Sequence, residues 1–195
     1  MEQRAQRQTR TLDSRFEVRE ENGERRIEGY FVVFGGVYEM WPGATESIDP
    51  HAFDGALDDD IRCLIDHESR LVVGRNVAGT LTLRVDERGL WGSALVNPED
   101  SDAMNAYARV KRGDVSQASF AFDILDEDTE VRADGSVHWT IKKVRLYEVS
   151  VVTFPAYRDT EITARKADYE NLRRRAAEAW REKQKARLSQ WHSNS

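Results

Sequence analysis

Ser119, His67 and Glu148 are the residues of this chain whose types and surroundings could carry out acyl transfer. Ser119 lies in V-S-Q-A-S-F-A-F, Val115 to Phe122, a segment whose composition predicts a strand. Side chains alternate in an extended chain. Ser116, Ala118, Phe120 and Phe122 therefore share one face, and Val115, Gln117, Ser119 and Ala121 the other. The phenylalanines choose the core, which pins Ser116 beside them and leaves Ser119 on the smaller-residue face, free to meet a base and a substrate. A serine hydroxyl is a weak nucleophile until a base takes its proton, and histidine is the commonest base because it titrates near neutrality.

Four histidines compete for that role. His192 lies in the C-terminal tail, His138 in a strand opposite acidic turns, and His51 in the loop I-D-P-H-A-F-D. His67 ends the apolar run Ile61 to Ile65 and precedes the polar loop Glu68-Ser69-Arg70, a placement that presents a side chain on a rigid base. A structurally satisfied histidine is the other reading of the same position. The third candidate, Glu148, sits in V-R-L-Y-E-V-S-V-V-T, a strand apolar on both faces, where an unpaired carboxylate would cost several kcal/mol. It requires either an imidazole or an ion pair with Arg62, Arg75 or Arg145. Asp66 points away from its neighbour His67 if the segment is extended. A thiol dyad of Cys63 and His67 fails on distance, because four residues of strand span roughly 13 Å. His51, His67 and the nearby aspartates lack the spacing of a metal motif, glycine-rich phosphate loops are absent, and no cofactor is expected.

The elements that must hold these residues are legible as alternating strand and turn signals. Strands are predicted at Arg15–Arg19 and Arg26–Phe34 around the turn Glu21-Asn22-Gly23-Glu24, at Ile61–Ile65, at Gly79–Val85, at Gly89–Val96 and at Val137–Val152. Gly43–Leu57 reads as a loop with one helical turn. A helix is predicted from Asn97 as N-cap, with Pro98 at its first position, an apolar stripe of Met104, Tyr107 and Val110, and a stop at Gly113. It feeds directly into the Ser119 strand. Residues before Asp13 are polar and arginine-rich and read as a flexible segment, disordered or processed away, with no visible chemistry. Asp168–Gln190 reads as one charged helix, in which Tyr169, Leu172, Ala176 and Ala179 recur at helical spacing and Trp180, Leu188 and Trp191 add apolar surface. That helix either docks on a partner or packs on its own body.

With 195 residues, 39% of them hydrophobic, the chain can bury one good core, and a single domain with appendages is expected. The division is 1–13, a flexible segment; 14–160, the main domain; and 161–195, a helical tail. The net charge of −6 divides into an acidic body of −11 and a basic tail, Arg165–Ser195, of +5. An acidic body argues against nucleic-acid binding, and the tail interleaves its basic residues with acids. One cysteine excludes an internal disulfide framework and fits a reducing compartment. No run approaches a membrane span and the first residues lack the apolar core of a secretion signal, so a soluble, unexported protein is expected.

Four spaced segments carry a resemblance. Leu64–Ser69 (L-I-D-H-E-S), Val72–Arg75 (V-V-G-R), Lys111–Phe122 (K-R-G-D-V-S-Q-A-S-F-A-F) and Leu146–Tyr157 (L-Y-E-V-S-V-V-T-F-P-A-Y) occur in the order that resembles the prohead serine proteases of tailed bacteriophages. The resemblance covers roughly Phe16 to Arg165. It implies an α+β fold with a mostly antiparallel, barrel-like sheet and flanking helices, similar to the herpesvirus assemblins, and a serine endopeptidase that digests procapsid scaffold, capsid-protein segments and itself. It further implies that His67 is the base, Ser119 the serine of an S-F-x-F motif, and Glu148 the third member, where the assemblins use a second histidine. Ala121 stands where glycine is common between the two phenylalanines. Gly74 and Arg75 match a G-R pair that helps bind substrate or orient an oxyanion donor, although a tight turn with a surface arginine explains them equally well. Scaffold and major capsid protein are the implied partners, with a homo-oligomer possible, and the interior of a procapsid in the host cytoplasm the implied location. The same fold without catalysis would be a capsid-assembly or scaffold module.

Overall fold

The computed structural model describes residues 8–13, 16–154, 166, 169–175 and 177–185. The described residues of Met1–Gly36, Ser47–Asp128 and Thr140–Tyr157 form one compact unit. Those of Val37–Glu46, Thr129–Trp139 and Arg158–Ser195 form a second. The chain is α+β and mostly strand. Its eleven described strands are β1 (Gln8–Asp13), β2 (Glu17–Glu21), β3 (Glu24–Val33), β4 (Tyr38–Trp41), β5 (Ala44–Ile48), β6 (Arg62–Ile65), β7 (Val72–Arg75), β8 (Leu81–Asp86), β9 (Gly89–Val96), β10 (Gln117–Val131) and β11 (Val137–Val152). Two sheets result. One runs β1-β10-β11-β5-β4, with β6 paired to β11 and β7 to β6; the other runs β2-β3-β9-β8. Both are open, where the sequence led us to expect one barrel-like sheet; the pairings β1–β10, β2–β3, β3–β9, β4–β5, β6–β7 and β8–β9 are antiparallel, and β6 runs parallel to β11.

Within the first unit, β2 and β3 form the expected hairpin, closed by Asn22 and Gly23 at φ 53° and 85°. Two successive left-handed residues give the turn whose twist matches that of the flanking strands. The helix α1 (Ser101–Arg112) packs against β2, β3 and β9 and buries Ala103, Ala106, Tyr107 and Val110. Its start lies later than expected. Asp100, and not Asn97, is the N-cap, its carboxylate accepting from the amides of Asp102 and Ala103 at 2.9 and 3.2 Å. Asn97 instead caps the preceding turn by accepting from the Glu99 amide at 3.0 Å. The C-cap Gly113, at φ 86°, donates to the carbonyls of Arg109 and Val110 and turns the chain toward β10.

Three departures from the sequence pattern bear on the site. Gln8–Asp13 form strand β1 along β10, where a flexible segment was expected. The expected loop Gly43–Leu57 contains β5 and a 3-10 turn at Ala56–Asp58. Both faces of β10 around Ser119 are buried: Phe120 stacks on Phe122 with centroids 4.8 Å apart and meets Phe53 edge-on, and Ala118 and Ala121 are enclosed as well. Among the described residues no helix is long and apolar enough to cross a membrane.

In the second unit, Ala44, Val137 and Trp139 form a small core onto which Met40, Trp41, Tyr169 and Leu172 pack. Residues 169–175 and 177–185 are helical, as the tail pattern predicts, and Tyr169 meets the Trp41 ring edge-on at 5.7 Å. The tail helix thus packs on its own unit at this end, while Trp180 is 63% exposed. Leu188 and Trp191 lie outside the described residues.

Candidate active site

The parallel pairing of β6 with β11 brings two of the candidate residues to the same edge. β6 and β11 align Arg62 with Glu148 and Ile65 with Val151, so the chain leaves β6 beside the C-terminal end of β11. There it reverses. Asp66 and His67 both adopt left-handed backbone, at φ 49° and 61°, a conformation that costs a non-glycine residue about 1–2 kcal/mol. Asp66 tolerates it better than most residues, and its carboxylate is fixed by the amide of Thr153 at 2.7 Å and the Thr153 hydroxyl at 3.1 Å. The Asp66 amide donates to the Val151 carbonyl at 3.0 Å. This pinned reversal swings the His67 side chain back along β11.

His67 then stands between the other two. Its Nδ1 lies 2.5 Å from Oε1 of Glu148, and its Nε2 lies 2.8 Å from Oγ of Ser119. All three are withdrawn from solvent: the side chains of His67 and Glu148 are 9% and 6% exposed, and Ser119 is fully buried. Of the two outcomes open to Glu148 in the sequence, the imidazole is the one realised. Arg62 and Arg75 both turn instead to Asp60. Alternation placed Ser119 and Ser116 on opposite faces, but Ser116 is exposed before the start of β10 and Ser119 is buried, with β1 paired alongside it.

Ser150 was missed as a member of this group. Its hydroxyl donates to Oε2 of Glu148 at 2.6 Å and accepts from the His67 amide at 3.3 Å, and it is fully buried. The signal was present in the sequence, because residues two apart on a strand share a face and E-V-S puts a hydroxyl next to the carboxylate. Together Glu148 and Ser150 bind both the ring and the backbone of His67. The arrangement can fix the imidazole with its Nδ1 proton toward the carboxylate and its Nε2 toward the serine, the requirement for drawing off a hydroxyl proton.

The other candidates are accounted for elsewhere. Gly74 lies in β7 opposite Cys63, and a Cβ there would sit 2.6 Å from the carbonyl oxygen of Thr80. Arg75 holds Asp60 through two hydrogen bonds of 2.7 and 2.6 Å, and the guanidinium pulls the Asp60 carboxyl down to about 2. Cys63 is buried, and desolvation pushes its thiol far up, away from reactivity. The His51 ring meets Asp54 at the surface, and His138 shares a 2.8 Å hydrogen bond with Thr45. No group of His, Cys, Asp and Glu among the described residues is placed to hold a metal ion.

Comparison with known proteins bears on the same segments. The profile of the family described as Caudovirus prohead serine protease matches residues 14–175. The chain belongs to this family. It is 28% identical over 144 residues to the prohead protease of Enterobacteria phage HK97, an alignment covering 72% of this chain and 61% of that relative. The chain therefore spans somewhat less than two thirds of the length of that curated relative. Its fold is also similar to that of the bacteriophage T4 capsid assembly protease gp21, with a TM-score of 0.52 at 11% identity, covering 77% of this chain and 98% of the other.

Proposed function

We propose that this member of the prohead protease family is a serine endopeptidase of phage procapsid maturation, with Ser119 as nucleophile, His67 as general base and Glu148 as the residue that orients the imidazole and supports its positive charge. The supporting observation is the unbroken line of atoms at hydrogen-bonding distance from Glu148 through His67 to Ser119. Ser119 Oγ attacks the substrate carbonyl carbon while its proton passes to His67 Nε2, and backbone amides hold the developing oxyanion. His67 then delivers that proton to the leaving amine as the peptide bond breaks. Water, deprotonated by the same nitrogen, releases the acid and restores the serine. We assign Gly74 and Arg75 to the support of β6 and β7 in preference to substrate or oxyanion contact, since a Cβ at Gly74 would strike the Thr80 backbone and Arg75 is committed to Asp60.

Within this reading the substrates are scaffold and capsid-protein segments, with the enzyme's own chain among them, and the place of action is the interior of a procapsid in the host cytoplasm. Confinement there gives the protease a high effective concentration of substrate, so a modest catalyst suffices. The kinship in fold with the herpesvirus assemblins belongs to the same proposal. The test is labelling by a serine-directed phosphonate together with processing of co-expressed scaffold. Ser119→Ala should abolish both, His67→Ala should abolish labelling, and Ser116→Ala, at an exposed position outside the strand, should retain nearly all of each. Equal loss in Ser116→Ala and Ser119→Ala would overturn the assignment. Absence of labelling in a folded chain would favour a non-catalytic assembly module.

A further inference from the structure

Ser119 is fully buried although it stands one strand from the sheet's edge, and the edge strand that flanks it is Gln8–Asp13. β1 pairs antiparallel with β10 over six residues, Gln8 opposite Phe122 through Asp13 opposite Gln117, with Thr11 opposite Ser119. Without β1, the β10 edge would offer unpaired backbone donors and acceptors beside the nucleophile, the kind of edge to which an extended peptide adds as a strand. β1 also touches the nucleophile itself: the Ser119 hydroxyl donates to the Arg10 carbonyl oxygen at 2.9 Å. A serine has one hydroxyl hydrogen, and while it is directed to Arg10 it is withheld from His67 Nε2, 2.8 Å away. The geometry is unproductive for Arg10 as well. A carbonyl under attack turns its carbon to the serine and its oxygen to amide donors, whereas this oxygen accepts from the serine.

Arg10 supplies a second observation. It is 6% exposed, and its guanidinium lies over the Phe122 ring, 5.7 Å from the centroid. The pairing thus places a long cationic side chain at a built position one residue from the serine's register. We propose that the β10 edge beside Ser119 is the site for an extended peptide substrate carrying a basic residue at the Arg10 position, and that Gln8–Asp13 occupies this site as a resident blocking strand that must be withdrawn before substrate binds. The proposal rests on the serine-protease reading above and deepens it.

The experiment uses the full chain and its Arg10→Pro/Thr11→Pro variant, which removes two adjacent backbone donors and so breaks the ladder whichever residue faces β10. A tethered strand competes at an effective concentration far above that of free reagent, so its removal should accelerate phosphonate labelling of Ser119 by on the order of 10-fold or more. The peptide Gln-Thr-Arg-Thr-Leu-Asp added in trans should slow the variant again, and the same peptide with alanine for arginine should do so on the order of 10-fold less well. Unchanged labelling in a folded variant, with no protection by either peptide, would overturn the blocking strand while His67-dependent labelling preserved the protease. Binding of the arginine peptide by calorimetry without any labelling would preserve the strand site and sink the protease. Should the variant fail to fold, the wild-type chain decides: phosphonylation at Ser119 should strip hydrogen-exchange protection from the amides of 9–13, and retained protection would refute the proposal.

Discussion

Replacing Glu148 by glutamine tests whether the carboxylate acts on His67 as the geometry implies, because Ser150 makes the two orientations of the new amide unequal. In the native site Oε1 faces His67 Nδ1 and Oε2 accepts the Ser150 hydroxyl. If the glutamine oxygen stays on His67, its NH₂ faces Ser150, whose hydroxyl can accept but must turn its hydrogen away from its acceptor in a fully buried position. An unsatisfied buried hydroxyl costs about 1–3 kcal/mol. The glutamine therefore flips, giving its oxygen to Ser150 and its NH₂ to His67, which forces the proton onto Nε2 and removes the base. Loss of about 10⁴-fold in turnover is expected, as for the wrong tautomer in other triads. Adding Ser150→Ala removes the penalised hydroxyl and permits the productive orientation. Glu148→Gln/Ser150→Ala should then recover about 5- to 150-fold of the loss, the factor that 1–3 kcal/mol represents, although Ser150→Ala alone impairs the enzyme. Labelling rates across the four chains give the coupling directly. A double variant no faster than Glu148→Gln would refute this account of the site.

Three further outcomes are expected. Gly74→Ala, which drives a Cβ to 2.6 Å from the Thr80 carbonyl oxygen, should lower stability by about 1–3 kcal/mol in denaturant melts, while the folded fraction keeps its labelling rate; a large rate loss without destabilisation would instead return Gly74 to the active site. Asp66→Ala removes the carboxylate that Thr153 grips and should slow labelling by more than its small effect on stability, whereas Asp66→Asn, which tolerates the left-handed backbone and keeps an acceptor, should restore most of the rate. Stability should also fall in acid. The ammonium of Lys142 lowers the Asp49 carboxyl, the Tyr30 hydroxyl lowers Asp86, and Arg75 brings Asp60 to about 2. Groups lowered on folding stabilise the fold fully above their unfolded values near 4, and that stability is lost as pH falls through the folded ones. Melting followed from pH 6 to 2 should show a plateau and then a decline, smaller in Asp49→Asn; equal declines in both chains would remove Asp49 from the account.

The parts of this architecture that were legible in the sequence are those whose own side chains dictate them. The β2–β3 hairpin follows from Asn22-Gly23, β8 and β9 from their apolar residues, and the end of α1 from Gly113. The start of α1 was misplaced because Asn97 and Asp100 are both capping residues, and only the structure shows that one caps a turn and the other the helix. β1 could not be read at all. Q-T-R-T-L-D carries one strongly apolar residue, and its strand form comes from an edge supplied by residues more than 100 positions later in the chain. For the same reason the burial of Ser119 was illegible: alternation correctly separated it from the phenylalanine face but carried no information about what lies on the other side.

The position of His67 shows how local strain and long-range pairing combine at the site. Because Ile65 is in register with Val151, an extended continuation of β6 would carry His67 level with Thr153, five residues past Glu148 and about 16 Å from it. The apolar run before His67 therefore places the residue on a rigid support without bringing it to the carboxylate. Two left-handed residues do that by reversing the chain, and Asp66, Thr153 and Ser150 hold the reversal in place through the hydrogen bonds that they make. Glu68, Ser69 and Arg70 beyond it are exposed, so the strain is confined to Asp66 and His67, a short segment anchored on β11. Glu148, Ser150 and Thr153 all belong to that strand or its immediate extension. The β11 segment Glu148–Thr153 thus builds the histidine's position, and β10 contributes only the serine. That division leaves Ser119 as the one proposed catalytic side chain on β10, and it is the edge of this strand that β1 occupies.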